Sequence, residues 1–455
     1  MTSCKWRRSL IQIAAGIAVV ATVLFGLWAV DTARHHVQAR LDPAGYSLSV
    51  ANRLARSSTD GAIETLQARL RQDPDAQQAY TQLGAAYLQK ARETGDPTYY
   101  GKAEGVLLRA LEMKPDDFLA MAQMGALSFA RHEFRQALDW GQKAHAISPD
   151  TVLIYGVIGD AQVELGEYDA ALETFQTMVD LRPDLSSYSR ASYMRELHGD
   201  VDGAIEAMQW AVQAGGPNLE NTNWTRVQLG HLYFNSGRLV EAEAEYQRAL
   251  AAYPGYIHAM AGLARVRAAR GEYDAAIPMY TDVVNRMPLP EYVIALGDLY
   301  EVAGRRPEAQ QQFDLVRAIE RLYLANGVDT DLEMALFQAD HNQGQNLDET
   351  LARARRAFEK RPTIYAADVL AWALYQDGQY AEAYEMSRQA LRLGTKDALL
   401  FFHAGMIAYR LGHRVEAQAT LEQALALNPN FSLRYRDMAR STLTTLHRSA
   451  TTSGH

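Results

Sequence analysis

Pro115, Pro149 and Pro183 stand 34 residues apart, and Pro254 and Pro288 repeat the interval. A fixed period of this size admits few folds, because each period is one supersecondary unit that buries its apolar face only against its neighbours. Other positions keep the same register. Ala110, Ala144 and Ala249 each lie five residues before a proline, Ala103, Ala137 and Ala242 seven residues earlier, and glycines such as Gly125, Gly159 and Gly230 a further twelve residues upstream. Two amphipathic helices fit inside every period. The first carries Leu-Gly pairs (Leu83-Gly84, Leu229-Gly230, Leu296-Gly297) and often a tyrosine three residues on (Tyr87, Tyr233, Tyr300); the second sets Phe175, Tyr246, Tyr280 or Phe313 between its alanines.

Small and large positions complement one another. Glycine and alanine let paired helices approach closely, and the aromatic rings fill the space beside them. Gly166, Gly237, Gly271, Gly304, Gly378 and Gly412 fall between the helices, where a positive φ ends the first. Proline ends the second helix, because it has no amide donor and clashes with the preceding turn.

These residues resemble the tetratricopeptide repeat family, whose 34-residue pattern places Leu-Gly and Tyr on one helix and Ala, an aromatic, Ala and Pro on the next. Clear copies occupy 75–117, 118–151, 152–185, 223–255, 257–289, 290–319 and 398–430, with divergent ones at 186–216, 331–362 and 363–395. Ala62, Leu66 and Pro74 outline a half-degenerate first unit. The first clear copy carries an insertion around Gly95-Asp96-Pro97, and the period breaks at Gly215-Gly216-Pro217-Asn218 and over 324–331. The resemblance implies an all-α solenoid, a right-handed superhelix of helical hairpins. The breaks divide it into arrays at 46–217, 218–322 and 323–430, with a capping helix and tail at 431–455.

The N-terminus reads differently. Residues 10–30 are apolar except for Gln12 and Thr22, and as a helix they would be roughly 31 Å long, enough to cross a bilayer core. Lys5, Arg7 and Arg8 precede the run, and Trp6 and Trp28 lie near its ends. The positive-inside rule then puts residues 1–9 in the cytoplasm, a linker at 31–45, and the array on the other side, the periplasm in a bacterium. A cleaved signal peptide fits less well, because the run is long and no small-residue cleavage site closes it. Cys4 is the single cysteine, so no disulfide forms within the chain. A net charge of −9 with interspersed signs presents no phosphate-neutralising surface, so nucleic acid is not an expected partner.

In the family the first helices line a concave groove. Carried over here, the groove candidates are Tyr193, Trp224, His231, Phe234, Arg265, Asp298, Glu301, Asp368, Trp372, Tyr375 and Tyr409, with Trp224 and Trp372 leading. Aromatic surface with scattered charge of both signs suits a protein or peptide partner. The alternative for each aromatic is packing against the next repeat. The Lys and Asn placements with which some members clamp a terminal carboxylate do not occur at the matching positions.

Asp329, Asp331, Glu333, Asp340 and His341 cluster in sequence, and Asp368 and His403 follow in the next two units. Asp340, His341 and His403 are metal candidates by residue type. Helix capping by Asp329 and Asp331 is the simpler reading, and His35-His36 beside the apolar run reads as an accidental polar pair. No phosphate-binding Gly-Lys-Ser/Thr, Gly-x-Ser-x-Gly, His-Glu-x-x-His or Cys-His motif occurs. The expectation is therefore no enzyme and no cofactor, but a membrane-anchored scaffold that helps assemble envelope or membrane complexes. The competing readings are a metal or small-ligand sensor around Asp340, Asp368 and His403, and a self-associating rod; the oligomeric state is left open.

Overall fold

The computed structural model describes residues 59–216, 220–341 and 346–452, within one compact unit that begins at Thr59. Every regular element among the described residues is a helix, 22 in all. In chain order they are α1 (Thr59–Gln72), α2 (Gln77–Thr94), α3 (Thr98–Met113), α4 (Phe118–Ala130), α5 (Phe134–Ile147), α6 (Val152–Glu164), α7 (Tyr168–Leu181), α8 (Leu185–Leu197), α9 (Val201–Ala214), α10 (Glu220–Asn235) and α11 (Leu239–Ala252). There follow α12 (Ile257–Ala269), α13 (Tyr273–Arg286), α14 (Pro290–Val302), α15 (Arg306–Ala325), α16 (Asp331–His341), α17 (Leu347–Lys360), α18 (Ile364–Gln376), α19 (Tyr380–Ala390), α20 (Ala398–Arg410), α21 (Arg414–Leu427) and α22 (Arg436–Thr452). Helices α2 to α21 pair as ten antiparallel hairpins, and α1 supplies Ile63 and Leu66 to the first of them. The expected membrane span at 10–30, its basic flank at 1–9 and the linker at 31–45 lie outside the described residues. Among those described, no helix is long and apolar enough to cross a membrane.

The hairpins close through the size pairs legible in the sequence. Gly230 and Gly262 both lie against the ring of Tyr246, so that ring is clasped between the two neighbouring first helices, and a Cβ on Gly262 would sit 2.6 Å from it. Gly159 meets Phe175, Gly297 meets Phe313, and Gly405 meets Leu421 in the same way. Tyr246 is wholly buried as a result. The turn glycines adopt φ between +72° and +82°, the left-handed region that ends a first helix. His132 holds the same turn position in the α4–α5 hairpin with φ +62°, which is unusual for a residue with a side chain.

After six hairpins the chain meets itself, and the contacts between the turns of one circuit and the next fall in nearly the same register. The side-chain amide of Asn428 donates to the carbonyl of Phe234 (2.9 Å), 194 residues earlier. Ile364 N donates to the Tyr168 hydroxyl (2.9 Å) across 196 residues, Arg361 reaches Glu164 (3.3 Å) across 197, and Thr395 donates to the Leu197 carbonyl across 198. His132 closes the series with its Nδ1 2.7 Å from the Asp329 carbonyl, 197 residues on. That contact holds its strained turn in place. Along this seam the turn between the helices of one hairpin lies on the turn between hairpins of the next circuit. A Cβ on Gly166 would stand 2.7 Å from the Pro362 carbonyl, and one on Gly237 2.9 Å from that of Leu427.

The period break at 324–331 takes part in the seam. Helix α15 runs for 20 residues where most second helices have 14, and Gly327 and Asp329 then lie on Arg131 and His132. The insertion near Gly95 behaves alike: it lengthens α2 to 18 residues and sets Gly95 against Leu289.

Candidate functional site

The first helices face inward, and the circuit they make encloses a lumen. The residue after three of the packing glycines lines it: Asp160 after Gly159, His231 after Gly230, Asp298 after Gly297. A cavity of about 850 Å³ is lined by Tyr193, Trp224, His231 and Arg265 from four of the sequence candidates, together with Arg190 and Glu196. A second, of about 500 Å³, shares Trp224, His231 and Arg265 and continues to Phe234 and Asp298. The wall is completed by Asp397, Asn428 and Phe431 from the following circuit.

Its electrostatics are mixed. Arg190 grips Asp160 of the preceding hairpin through two bonds (2.8 and 2.6 Å), the bidentate geometry that planar guanidinium favours. Arg265 lies 3.9 Å from the centre of the Phe234 ring in a cation–π contact, and Phe234 is itself a buried core residue, so its place among the exposed groove candidates is corrected. Burial pushes the Glu196 carboxyl up to about 7, helped by the nearby Asp397 and opposed by a hydrogen bond from Asn235. Burial raises the Asp397 carboxyl too, while the amides of Leu399 and Leu400, which it caps, pull it back. His231 is pushed down to about 3 by burial and the Arg265 charge, so its ring is neutral at pH 7 and shares a 2.7 Å hydrogen bond with the Tyr246 hydroxyl. Tyr193 lines the cavity and is 36% exposed, and the surrounding protein raises its phenol well above the usual range.

The remaining candidates sit elsewhere. Trp372 is 1% exposed, stacked between His403 (4.2 Å) and Tyr375 (4.6 Å), with its indole N–H donating to Asp340 (2.9 Å). It is a core residue, as is Asp368, which pairs with the fully buried His403 at 2.9 Å. Their assignment to the groove is corrected: the divergent units at 331–395 pack these polar groups against one another, so their inward face is filled. Tyr375 and Tyr409 pack against the same cluster. Of the metal candidates, Asp340 accepts from Trp372 and Tyr435, and His341 bonds the Phe337 carbonyl (2.9 Å) and Asp298 (2.8 Å). Among the described residues no group of three or more His, Cys, Asp or Glu is placed to hold a metal ion. Asp329 accepts from the Asp331 amide (2.9 Å) at the start of α16, the geometry expected of a cap.

Arg190, Glu196, Asp397 and Phe431 were not among the sequence candidates. Asp160 was within reach of the glycine-plus-one spacing that marks His231 and Asp298, whereas its partner Arg190 follows Ser189 on a helix without glycine. Asp397 and Phe431 were not, because they enter the lumen only through closure of the circuit.

Four segments match tetratricopeptide repeat models: residues 157–220, 222–288, 364–389 and 398–431. Those segments are tetratricopeptide repeats, and the described chain is an all-α solenoid of such hairpins. The chain is similar to the TPR repeat-containing protein YpiA of Bacillus subtilis, 23% identical over 308 residues that cover 64% of this chain and 62% of that protein. It is also similar to the human protein O-mannosyl-transferase TMTC1, 26% identical over 223 residues, 47% of this chain and 24% of that protein. It thus spans less than two thirds of either relative. Among solved structures, the tetratricopeptide repeat protein TTC0263 of Thermus thermophilus is 24% identical and covers 44% of this chain and 98% of its own, with a TM-score of 0.36.

Proposed function

We propose that the chain is an adaptor that holds a segment of a protein partner inside its lumen, tethered to a membrane by residues 10–30 so that the array assists assembly of envelope or membrane complexes. The observation that carries this reading is the pair of cavities joined through Trp224, His231 and Arg265. A large ring, a neutral imidazole and a guanidinium held only by the Phe234 ring and a 3.4 Å bond to Asn235 offer an extended polypeptide both apolar contact and hydrogen bonds. The chemistry that would point to a reaction, an activated nucleophile beside a base, is not among the motifs of the sequence. Tethering would raise the effective concentration of the lumen toward partners in the same bilayer.

A photo-crosslinking amino acid at Tyr193 or Trp224 in the full chain, in its native membranes, tests this. Adducts with a discrete protein are expected from both positions and not from Val415, which is 86% exposed on the second helix of its hairpin. Equal labelling from Val415, or none from the lumen, would remove the reading. A reporter fused after residue 45 decides on which side of the membrane the array lies.

A further inference from the structure

The chain between α21 and α22 does not follow the seam. Asn428 keeps the register by bonding to Phe234, but the next residues turn inward and cross the concave face. Phe431 enters both cavities, and Leu433 packs on the core shared by α12 to α16. Arg434 lies between two carboxylates of first helix α14, 3.1 Å from Asp298 and in contact with Glu301. Tyr435 stacks on Phe402 (4.8 Å) and donates to Asp340 (2.6 Å), and Arg436 donates to the Tyr273 hydroxyl (2.7 Å).

Capping the array needs only an apolar face, which Tyr435, Ala439, Leu443 and Leu446 provide. Residues 431–434 do something else: they occupy the surface that the proposed partner would use. We infer that Phe431–Arg434 is a built-in occupant of this end of the lumen, and that the partner segment taken there has the same chemistry, a turn in which an aliphatic side chain is followed by arginine. This rests on the concave face being the partner surface. Charge complementarity selects the arginine, because Asp298 and Glu301 stand together on α14 with Arg434 bonded to both.

The internal occupant is exchangeable on the geometry of its grip. Asp298, Glu301 and Arg434 keep 23%, 32% and 23% of their side-chain surface in contact with water, so the pair is partly screened by solvent and can be reached from it. The buried Nε of Arg434 has no hydrogen-bond partner, and a 500 Å³ cavity remains beside Leu433. The internal segment therefore leaves contacts unmade that a partner could make.

The test uses a fluorescent peptide with the sequence of residues 428–438 and anisotropy on the full chain. Leu433→Ala/Arg434→Ala should bind it at least tenfold more tightly than the wild type, and adding Asp298→Asn and Glu301→Gln should abolish that gain. A peptide with glutamate in place of the first arginine should bind neither. Equal binding to wild type and variant, or none to either, overturns the inference. Should the variant fail to fold, hydrogen exchange on the wild type with excess peptide replaces it: exchange at least fivefold faster in α22 is expected, and unchanged exchange overturns the inference. Failure here with crosslinks from Trp224 intact leaves the concave-face reading standing; loss of those crosslinks removes that reading instead.

Discussion

The hydroxyl of Tyr168 accepts the backbone amide of Ile364, the first residue of a helix six hairpins further along the chain. The first amides of a helix have no partner within it, and Ile364 is fully buried, so without Tyr168 its donor would be orphaned. One circuit of the array thus completes the hydrogen bonding of the next.

Tyr168→Phe should therefore destabilise the fold by about 1–3 kcal/mol, the penalty of an unsatisfied buried donor. The loss is read in chemical denaturation, and faster hydrogen exchange at Ile364 should accompany it. Unchanged exchange there would mean that the seam does not protect the helix.

Gly159→Leu should cost at least about 1–3 kcal/mol through overpacking, because its added side chain starts inside the space of the Phe175 ring. Thermal melting checks this. An unchanged melt would contradict the register of small and large residues along the hairpins.

Glu196 gives a pH dependence with a definite sign. Its carboxyl is raised from 4.5 to about 7, so the folded chain keeps a proton that the unfolded chain releases. The stability this confers is full below pH 4.5 and is lost as the pH rises through 7. Glu196→Gln stays neutral throughout. It should match the wild type near the acid end and be more stable by about 1–3 kcal/mol at alkaline pH, as measured by urea titration at the two extremes.

The buried pair of His403 and Asp368 predicts an asymmetry. His403→Ala strands a carboxylate in the core, and Asp368 Oδ1 already has no partner, so the single change should cost about 3–5 kcal/mol. Asp368→Leu with His403→Leu removes both groups and should recover most of that loss. Equal destabilisation by single and double variants would show that the pair contributes more than it costs to bury.

Local features of this architecture were legible because they repeat. Gly230, Tyr246 and Ala249 announce a close helix contact at fixed spacing, and the structure places Tyr246 against two glycines. Tyr193, Trp224, His231 and Arg265, expected on the concave face from the family pattern, line one cavity. The burial of Trp372 was not legible, since the register says which way a side chain points but not whether the space in front of it is filled. The seam was illegible for another reason: Asn428 and Phe234, or His132 and Asp329, share no local pattern, and only the pitch of the coil brings them together. The 324–331 stretch, which breaks the period, is where Asp329 lies on His132.

The near-constant separation of 194 to 198 residues across the seam bears on how such a chain can change in evolution. In an open coil each unit contacts only its neighbours, so a unit can be added anywhere. Here one extra hairpin between Tyr168 and Ile364 would displace every later rung relative to the one beneath it. An added unit is thus accommodated at the two ends of the staircase, while one in its interior breaks the rungs beneath it.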